Sequence, residues 1–237
     1  MVKNRRMEEI LNILKNQPHA TVKELSERLY ASPATIRRDI LELEKRQLIN
    51  KFWGGISLAG GHNRFVILDQ RVETMRTQKN AVAKIAASLV KPGDAIFMDG
   101  SSTVISMIPF LQTNDLTVVT NSLRVAGSLA TTSARVFLTG GQLQPKSMTF
   151  GGSIAENNIR SFHADKLFFS AAGIDKNGII SDFYETDIAL RQEMICCSRE
   201  QYFLCDSSKY GKKFLFKVTD ITHITQVICE KELQLER

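Results

Sequence analysis

Long apolar runs are missing from this sequence. No stretch of the 237 residues approaches the roughly 18 consecutive apolar residues of a membrane-spanning helix. The opening residues, MVKNRRMEEI, also lack the apolar core of a secretory signal peptide. Both absences argue against a membrane protein and against a secreted one, so we expect a cytoplasmic protein with no membrane partner.

Cysteine is scarce, and its spacing excludes the common metal sites. The chain has 4 cysteines, Cys196, Cys197, Cys205 and Cys229, with no CxxC pair and no nearby histidine. Structural zinc sites need four Cys or His ligands at short, regular spacings. We therefore predict no metal site and no cofactor, and we expect reduced, mostly buried thiols.

The chain has only a small excess of positive charge, and that excess is unevenly distributed. The net charge is +6, and residues 1–58 contain 11 Lys and Arg against 7 Asp and Glu. Residues 59–237 contain 20 against 18. A basic N-terminal quarter is typical of a segment that meets nucleic-acid phosphates. Random scatter of a few charges would give a similar count.

Residues 21–39, TVKELSERLYASPATIRRD, carry the most specific pattern in the chain. Thr21 and Glu24 have the spacing of a capping box, which predicts the start of a helix. Ser32 and Pro33 predict a second helix, because Ser is a favourable N-cap and Pro fits at the first helical position. Two helices joined by a short turn predict a helix-turn-helix.

In this helix-turn-helix, about residues 20–39, the second helix would place its first residues against base edges in the major groove. Its predicted inner face is Ile36, Ile40 and Leu43. An Arg-Arg pair alone would favour a solvated helix surface, but here the pair follows the N-cap of a predicted recognition helix. The residues predicted to contact DNA are Ser32, Ala34, Thr35, Arg37, Arg38 and, beyond the helix, Lys51.

The segment after the recognition helix predicts a wing. Apolar residues in LINKFWGGISL (48–58) indicate two short strands, and the Gly pair at 54–55 supplies a tight turn. Trp53 precedes this pair and would either lie on the DNA backbone or pack against the recognition helix; we favour packing. A helix over residues 3–16 precedes the motif, and Lys3, Arg5 and Arg6 at its open end would reach the DNA backbone.

These residues together resemble the DeoR family of bacterial transcription regulators. The family signature spaces an N-terminal Arg, Ile and Leu ahead of the Ser-x-x-Thr-Ile-Arg-Arg-Asp-Ile run. The matching positions are Arg6, Ile10, Leu14, Ser32, Thr35, Ile36, Arg37, Arg38, Asp39 and Ile40. The resemblance implies binding to double-stranded operator DNA.

The second half of the chain alternates apolar strands with helical stretches, which predicts a mostly parallel α/β sheet. The predicted strands are residues 95–99, 116–120, 135–141, 166–174, 201–206 and 222–229. We divide the chain into a winged helix-turn-helix domain (1–58), a linker (59–75) and a ligand-sensing domain (76–237).

Most of the predicted strands end in small or polar residues. Ligands of parallel sheets bind at the carboxyl ends of strands. A GSST turn at 100–103 that opens a helix offers N–H groups and hydroxyls to a phosphate, and Lys209 would supply the countercharge. Ordinary turns and caps would explain any one of these segments, but their recurrence at several strand ends favours a binding site. The predicted site residues are Asp99, Gly100, Ser101, Ser102, Thr103, Thr120, Asn121, Ser122, Gly140, Gly141, Asp175, Asp182, Glu185 and Lys209.

This half also resembles the DeoR C-terminal sensor domain, which is similar in fold to ribose-5-phosphate isomerase. The family's TNS, GG and DxSK motifs match Thr120–Ser122, Gly140–Gly141 and Asp206–Lys209. The resemblance implies that a phosphorylated sugar releases a repressor from DNA. The hydroxyls of such a sugar would hydrogen-bond with Asp99, Asn121, Asp182 and Glu185.

Three functions compete for this sequence. The first is a repressor with a sugar-phosphate effector, which would act as a homodimer or homotetramer because such proteins read paired half-sites. The second is an isomerase with a DNA-binding appendage. It is disfavoured because Ala172 and Lys176 stand where such enzymes have acids, leaving Asp175 alone. The third is a helix-turn-helix protein without a ligand, which would leave the strand-end turns unexplained.

Overall fold

The computed structural model of the chain describes residues 2–16, 20–46, 48–52, 55–58, 68–145, 147–183 and 185–235. It divides into two compact units, Met1–Thr74 and Met75–Arg237. None of the helices in the described ranges combines the length and apolar character that a membrane crossing requires.

The N-terminal unit is a winged helix-turn-helix. Its elements are α1 (Val2–Asn16), α2 (Val22–Arg28), α3 (Pro33–Lys45), β1 (Ile49–Phe52), β2 (Gly55–Leu58) and α4 (Leu68–Glu73). The capping box forms as predicted: Glu24 N–H donates to the Thr21 hydroxyl and Thr21 N–H donates to the Glu24 carboxylate. Ser32 caps α3, and Pro33 is its first residue.

Apolar side chains from all three helices and the wing form the core of this unit. Ile36, Ile40 and Leu43, the predicted inner face of α3, are buried. The strands β1 and β2 pair antiparallel, and Ile56 of β2 also bridges to Ala20. Trp53 and Gly54 lie outside the described residues, and so does the predicted packing of Trp53.

The segment predicted as a linker, residues 59–75, is only partly described. Residues 59–67 lie outside the described ranges. The remainder includes the helix α4, in which Leu68 is buried. The unit boundary falls at Thr74 and Met75.

The C-terminal unit is built on a six-stranded sheet in which all strands are parallel. In spatial order its strands are β13 (Gln226–Ile228), β11 (Ser198–Leu204), β8 (Ala164–Phe169), β3 (Ala95–Met98), β4 (Thr117–Thr120) and β5 (Arg135–Leu138). Its helices are α5 (Arg76–Ser88), α6 (Ser102–Ile105), α7 (Leu123–Leu129), α8 (Ser153–Ile159) and α9 (Glu185–Cys196).

Both faces of this sheet are covered, and alternate strand residues contribute to opposite cores. Ile96 and Met98 pack with α5 and α7, whereas Phe97 packs on the other face with residues of α8 and α9. Strands buried on both faces are continuous apolar runs, which is why the sequence predicts that these strands exist.

Two smaller sheets stand beside the large one. The hairpin β6 (Gln142–Gln144) and β7 (Thr149–Gly151) follows β5. The strands β9 (Gly173–Ile174), β10 (Ile179–Asp182) and β12 (Phe216–Asp220) form an antiparallel sheet in the order β12-β10-β9.

Four predicted strands are wrong in extent. The strand predicted over residues 201–206 begins at Ser198 and ends at Leu204. Residues 166–174 do not form one strand, because the Ser170 N–H leaves the sheet and donates to Asp99. Residues 222–225 precede β13 and include part of a 3-10 turn, since Asp220 accepts the Thr222 N–H. The run 135–141 ends as a strand at Leu138.

The prediction of mostly buried thiols is also wrong. The four cysteines are free, but only Cys205 is buried, while Cys197 and Cys229 are half-buried and Cys196 is exposed.

Candidate functional site

The first candidate site is the open end of α3. Ser32, Ala34, Arg37 and Arg38 are exposed there and Thr35 is half-buried. The Ser32 Oγ accepts the Thr35 N–H at 3.3 Å. Lys51 is in β1, and its side chain is not among those described.

The two arginines of α3 differ in their surroundings. Arg37 lines a groove of about 800 Å³ between α2, α3 and β2, together with Lys23 and Leu41. Arg38 is exposed and is not part of that groove. Successive helical residues point about 100° apart, so the pair presents one guanidinium toward the groove and one away from it.

Arg6, which the sequence suggested for the DNA backbone, is held inside the unit instead. Its Nε donates to Asp39 Oδ2 at 2.5 Å, and the Asp39 side chain is almost fully buried. A buried carboxylate needs a charged or hydrogen-bonded partner. The pair therefore ties α1 to α3 and orients the recognition helix.

The second candidate site lies where the strands of the large sheet end. Asp99, directly after β3, is buried and accepts three hydrogen bonds. Its Oδ1 accepts the Ser101 N–H at 2.9 Å. Its Oδ2 accepts the Ser170 N–H at 3.2 Å and the Arg191 Nε–H at 2.9 Å. The carboxylate thus joins the ends of β3 and β8 to α9.

Arg191 of α9 stands between two carboxylates. Its Nη1 donates to Asp182 Oδ2 at 2.7 Å, while its Nε donates to Asp99. Burial by itself would lower the pKa of Arg191, but the charges of Asp182 and Asp99 outweigh it and raise that pKa above the usual value. The guanidinium stays charged and holds β10 against the end of β3.

Lys209 reaches across three neighbouring strand ends. It closes a 3-10 turn, Ser207–Lys209, after β11. Its Nζ donates to Ser170 Oγ at 2.6 Å and to Thr103 Oγ1 at 3.3 Å. The Ser170 hydroxyl in turn donates to Leu204 O at 2.5 Å. The ammonium therefore lies against the turn that follows β3, as the sequence suggested.

That turn, Gly100–Thr103, is buried and leads into α6. The Ser101 Oγ caps α6 by accepting the Val104 N–H at 3.3 Å. The N–H groups of Ser102 and Thr103 are in the first turn and have no acceptor within the helix. Hydroxyls and N–H groups are thus gathered beside the Lys209 ammonium.

The end of β4 contributes an unsatisfied acceptor. Asn121 is buried, and its Nδ2 donates to Phe150 O at 3.1 Å. Its Oδ1 is buried too and accepts no hydrogen bond from any described residue. Thr120 and Ser122 are used structurally: Thr120 Oγ1 donates to Met98 O at 2.7 Å, and Ser122 caps α7. A ligand donor would satisfy the amide oxygen of Asn121.

The predicted glycines shape the loops around these groups. A Cβ on Gly100 would lie 2.1 Å from Thr149 Cγ2, so no other residue fits there without movement. Gly140 and Gly141 have φ of +66° and +103°, a conformation that favours glycine. They turn the chain from β5 into the β6–β7 hairpin.

Two predicted residues are not brought to this place. Asp175 is in the turn between β9 and β10, where its Oδ1 accepts the N–H groups of Asn177 and Ile179. Because β10 runs antiparallel to β9, Asp182 lies at the opposite end of that hairpin. Glu185 is the exposed first residue of α9. Asp175 and Glu185 are therefore not part of the cluster that Asp182 joins.

The residues that converge where the strands of the large sheet end form what we call the strand-end cluster. It consists of Asp99, Ser101, Ser102, Thr103, Asn121, Ser170, Asp182, Arg191 and Lys209. Sequence reasoning missed Ser170 and Arg191. A signal for Arg191 was present: it lies three residues from Ile188 and from Met194, both buried, so a charge occupies the apolar stripe of a helix.

Comparison with known proteins covers both units. The DeoR-like helix-turn-helix domain matches residues 6–60, and the DeoR C-terminal sensor domain matches residues 74–231. An uncharacterised HTH-type transcriptional regulator of Bacillus subtilis, YulB, is 32% identical over 96% of this chain and 89% of its own. The lactose phosphotransferase system repressor of Streptococcus mutans is 30% identical over 100% of this chain and 96% of its own.

Two solved structures are similar to this chain at low sequence identity, and only the first has a TM-score above 0.5. The eIF2B delta subunit from Chaetomium thermophilum has a TM-score of 0.52 at 18% identity, over 68% of this chain and 58% of that one. Ribose 5-phosphate isomerase A from Methanocaldococcus jannaschii has a TM-score of 0.44 at 16% identity, over 57% and 54%. The two domain matches together span most of the sequence, and this chain belongs to the DeoR family of helix-turn-helix transcriptional regulators.

Proposed function

We propose that the chain represses carbohydrate-metabolism genes by binding double-stranded operator DNA, and that a phosphorylated sugar in the strand-end cluster releases it. The observation that supports this proposal most directly is the contact of Lys209 Nζ with the Ser170 and Thr103 hydroxyls. These acceptors are neutral. A phosphate oxygen in place of one of them would form a stronger, charge-assisted hydrogen bond.

The remaining groups of the cluster suit the rest of a sugar phosphate. The Asn121 Oδ1 is an acceptor that a sugar hydroxyl would satisfy. The first-turn N–H groups of Ser102 and Thr103 are donors for phosphate oxygens. Of the four charged residues, Arg191 is already shared by Asp99 and Asp182. With Arg191 engaged, Lys209 is the cation of the cluster that would bind a phosphate. The cluster therefore fits one phosphate better than several.

The proposal makes the sensor unit a binding module, not an enzyme. Isomerisation requires a carboxylate able to take a proton from the substrate. Within the cluster, Asp99 and Asp182 both pair with Arg191. Asp175 is engaged by two backbone N–H groups in the turn between β9 and β10. These pairings support binding without catalysis.

Assembly and location complete the proposal. A chain of this family carries one helix-turn-helix, and such proteins read paired half-sites as symmetric oligomers. We therefore include a homodimer or homotetramer, acting on DNA in the cytoplasm. One relative is named as a repressor of a lactose phosphotransferase system, which supports a link to sugar uptake.

The test of the effector site is operator release by ligand. We expect Lys209→Ala to bind operator as the wild type does but to need about 10- to 100-fold more effector for release, because a hydrogen bond to a charged group contributes about 1.5–3 kcal/mol. Band-shift titrations against a panel of sugar phosphates, with an operator selected from random DNA, measure both quantities.

The matched control is Lys213→Ala, which removes an exposed lysine from the same loop. It should respond to effector as the wild type does. Equal release of wild type and Lys209→Ala at the same ligand concentration would contradict the proposed site. Release of the wild type by unphosphorylated sugars would contradict the phosphate assignment.

A second prediction concerns DNA reading by α3. We expect Arg38→Ala to weaken operator binding by about 1–3 kcal/mol while changing binding to random DNA less, if the guanidinium contacts a base. The control is Arg46→Ala, because Arg46 ends the same helix and pairs with Glu42 on its surface. An equal loss on both DNAs would assign Arg38 to phosphate, and no loss on either would remove it from the interface.

A further inference from the structure

Two cysteines lie opposite each other at the ends of the neighbouring strands β11 and β13. These strands are parallel, and Leu204 of β11 is paired with Ile228 of β13. Cys205 and Cys229 follow these two residues, and the Cys205 N–H donates to Ile228 O at 3.0 Å. The pairing therefore continues by one residue and places Cys205 and Cys229, here called the cysteine pair, in register.

The two thiols of the cysteine pair are on the same face of the sheet. Cys205 is buried in one hydrophobic cluster, and Cys229 is half-buried and packs against the same cluster. A hydrogen bond joins the two thiols. Neighbouring strands are about 4.8 Å apart, which is within the range of about 4.4–6.8 Å that separates the Cα atoms of a disulfide. The pair is therefore positioned for a bond between its sulfurs.

The two sulfurs differ in reactivity. The hydrogen bond from the Cys205 thiol holds the pKa of the Cys229 thiol below its ordinary value. The same hydrogen bond, together with burial, raises the pKa of Cys205. The thiolate is the nucleophilic form of cysteine. Cys229, which is also the more exposed of the two, is therefore the sulfur that reacts first with an oxidant.

The cysteine pair is connected to the turn that carries Lys209. Glu230 directly follows the second cysteine, and its two carboxylate oxygens accept the Ser207 N–H at 3.1 and 3.0 Å. Ser207 begins the 3-10 turn that Lys209 closes. The first cysteine precedes this turn in the chain by one residue, Asp206. Each of the two strand ends thus holds one side of the turn.

We propose that the cysteine pair is a modification site, which hydrogen peroxide oxidises reversibly to a disulfide, and that this bond withdraws Lys209 from Ser170 and Thr103. A disulfide holds its Cβ atoms about 3.8 Å apart, closer than the strand spacing of about 4.8 Å. The two strand ends must therefore approach each other, and the turn held between them moves. The consequence for the effector rests on the proposed function, whereas the disulfide and the movement of the turn do not.

The oxidation balances with peroxide as the oxidant. The Cys229 thiolate attacks one peroxide oxygen, a sulfur–oxygen bond forms, and the oxygen–oxygen bond breaks to release hydroxide. The Cys205 sulfur then attacks the sulfenic acid, forms the sulfur–sulfur bond and displaces a second hydroxide. The two thiol protons combine with the two hydroxides. Two thiols and one peroxide thus give one disulfide and two waters, and an added dithiol reverses the modification.

The first experiment detects the bond. The full chain is treated with hydrogen peroxide, its remaining thiols are alkylated, and the product is digested with trypsin. Cleavage at lysine and arginine puts the two cysteines in separate peptides, 200–209 and 218–231. We expect mass spectrometry to show these peptides linked, lighter than their sum by two hydrogens, and separated again by dithiothreitol. Oxidation of Cys229 to a sulfinic acid without the linked species would overturn the proposal, as would no reaction.

The matched control is Cys196→Ser, which removes an exposed thiol of the same unit outside the pair. It should form the linked species as the wild type does. Cys229→Ser should not form it, and serine suits this half-buried position. Cys205→Ala is a second variant, in which oxidation should stop at a sulfenic acid on Cys229 that dimedone traps. Trapping at another cysteine instead would contradict the assigned order of reaction.

The second experiment measures the turn by hydrogen exchange, without DNA or sugar. Amide groups of residues 207–209 should exchange at least about 10-fold faster in the oxidised wild type than in the reduced one, because hydrogen bonds that fix the turn are lost. Peroxide should leave their exchange unchanged in Cys229→Ser. Equal exchange in the reduced and oxidised wild type would overturn the movement of the turn.

The last measurement is operator release by sugar phosphates. The oxidised wild type should need at least about 10-fold more effector than the reduced chain, because a hydrogen bond from the Lys209 ammonium is lost, and dithiothreitol should restore the response. Release of both forms at the same concentration would overturn the withdrawal of Lys209. A reduced chain that no sugar phosphate releases would contradict the proposed function, while the linked peptides and the exchange of the turn would still decide the modification site.

Discussion

Replacing Arg191 with methionine is expected to lower the free energy of unfolding of the sensor unit by about 3–5 kcal/mol, because it leaves two buried carboxylates without their cation. Arg191 holds both Asp99 and Asp182 at hydrogen-bonding distance. Methionine has a similar length and no polar group, so the change removes the charge while keeping much of the packing. Urea unfolding followed by circular dichroism measures the loss, with the two units fitted as separate transitions.

The control for Arg191→Met is Arg160→Met. Arg160 also forms two hydrogen bonds with a carboxylate, Glu193, but on the exposed surface of the same unit. We expect its unfolding curve to overlay that of the wild type. A third variant, Arg191→Met with Asp182→Asn, should recover part of the loss, since one uncompensated charge is removed. Equal effects at 191 and 160 would show that burial does not decide the outcome.

Gly100→Ala is expected to destabilise the sensor unit by about 1–3 kcal/mol through overpacking. The added Cβ would lie 2.1 Å from Thr149 Cγ2 and 3.3 Å from Ser122 Cβ. The loop between β3 and α6 would have to move, so effector binding should weaken in the same variant. Thermal unfolding and effector titration measure the two effects.

The rescue for Gly100→Ala is Thr149→Ser in the same chain. Serine keeps the hydroxyl that lies 2.6 Å from the Ser147 hydroxyl and removes the methyl group that clashes. The double variant should regain most of the stability. Gly127→Ala serves as the control, because Gly127 is inside α7 with no atom within 4 Å of its Cβ position. It should raise stability slightly, as alanine is the better helix former. Failure of the serine to rescue would place the strain elsewhere.

The sequence predicts the parts of the fold that depend on local patterns. Thr21, Glu24, Ser32 and Pro33 mark the two helix starts because capping uses residues three apart in the chain. The strands of the parallel sheet are predicted because burial on both faces requires an uninterrupted apolar run.

What the sequence does not predict depends on contacts between distant residues. The strand over 166–169 stops at Ser170 because Asp99, 71 positions earlier, takes its N–H group. The helix α9 has a weak apolar pattern because Arg191 occupies a buried position, and the carboxylates of Asp99 and Asp182 stabilise the charge there.

The same distinction between local patterns and distant contacts applies to the candidate site. Lys209 and Thr103 were predicted to meet because both follow strand ends, and parallel strands bring their carboxyl ends to one edge. Asp175 was predicted by the same rule and is elsewhere. It follows β9, which pairs antiparallel in a separate hairpin. A strand's orientation, which one sequence does not reveal, decides which residues reach the site.

The ion pair between Arg6 and Asp39 limits how the recognition helix can be transplanted between regulators. A chimera made by moving α2 and α3 alone into a host that lacks an Arg at the position of Arg6 would import the buried Asp39 carboxylate without its cation. The smallest segment that contains both partners of this ion pair runs from Arg6 to Asp39. Exchanges that respect this boundary should change operator choice and keep the fold, whereas shorter grafts should yield insoluble hybrids.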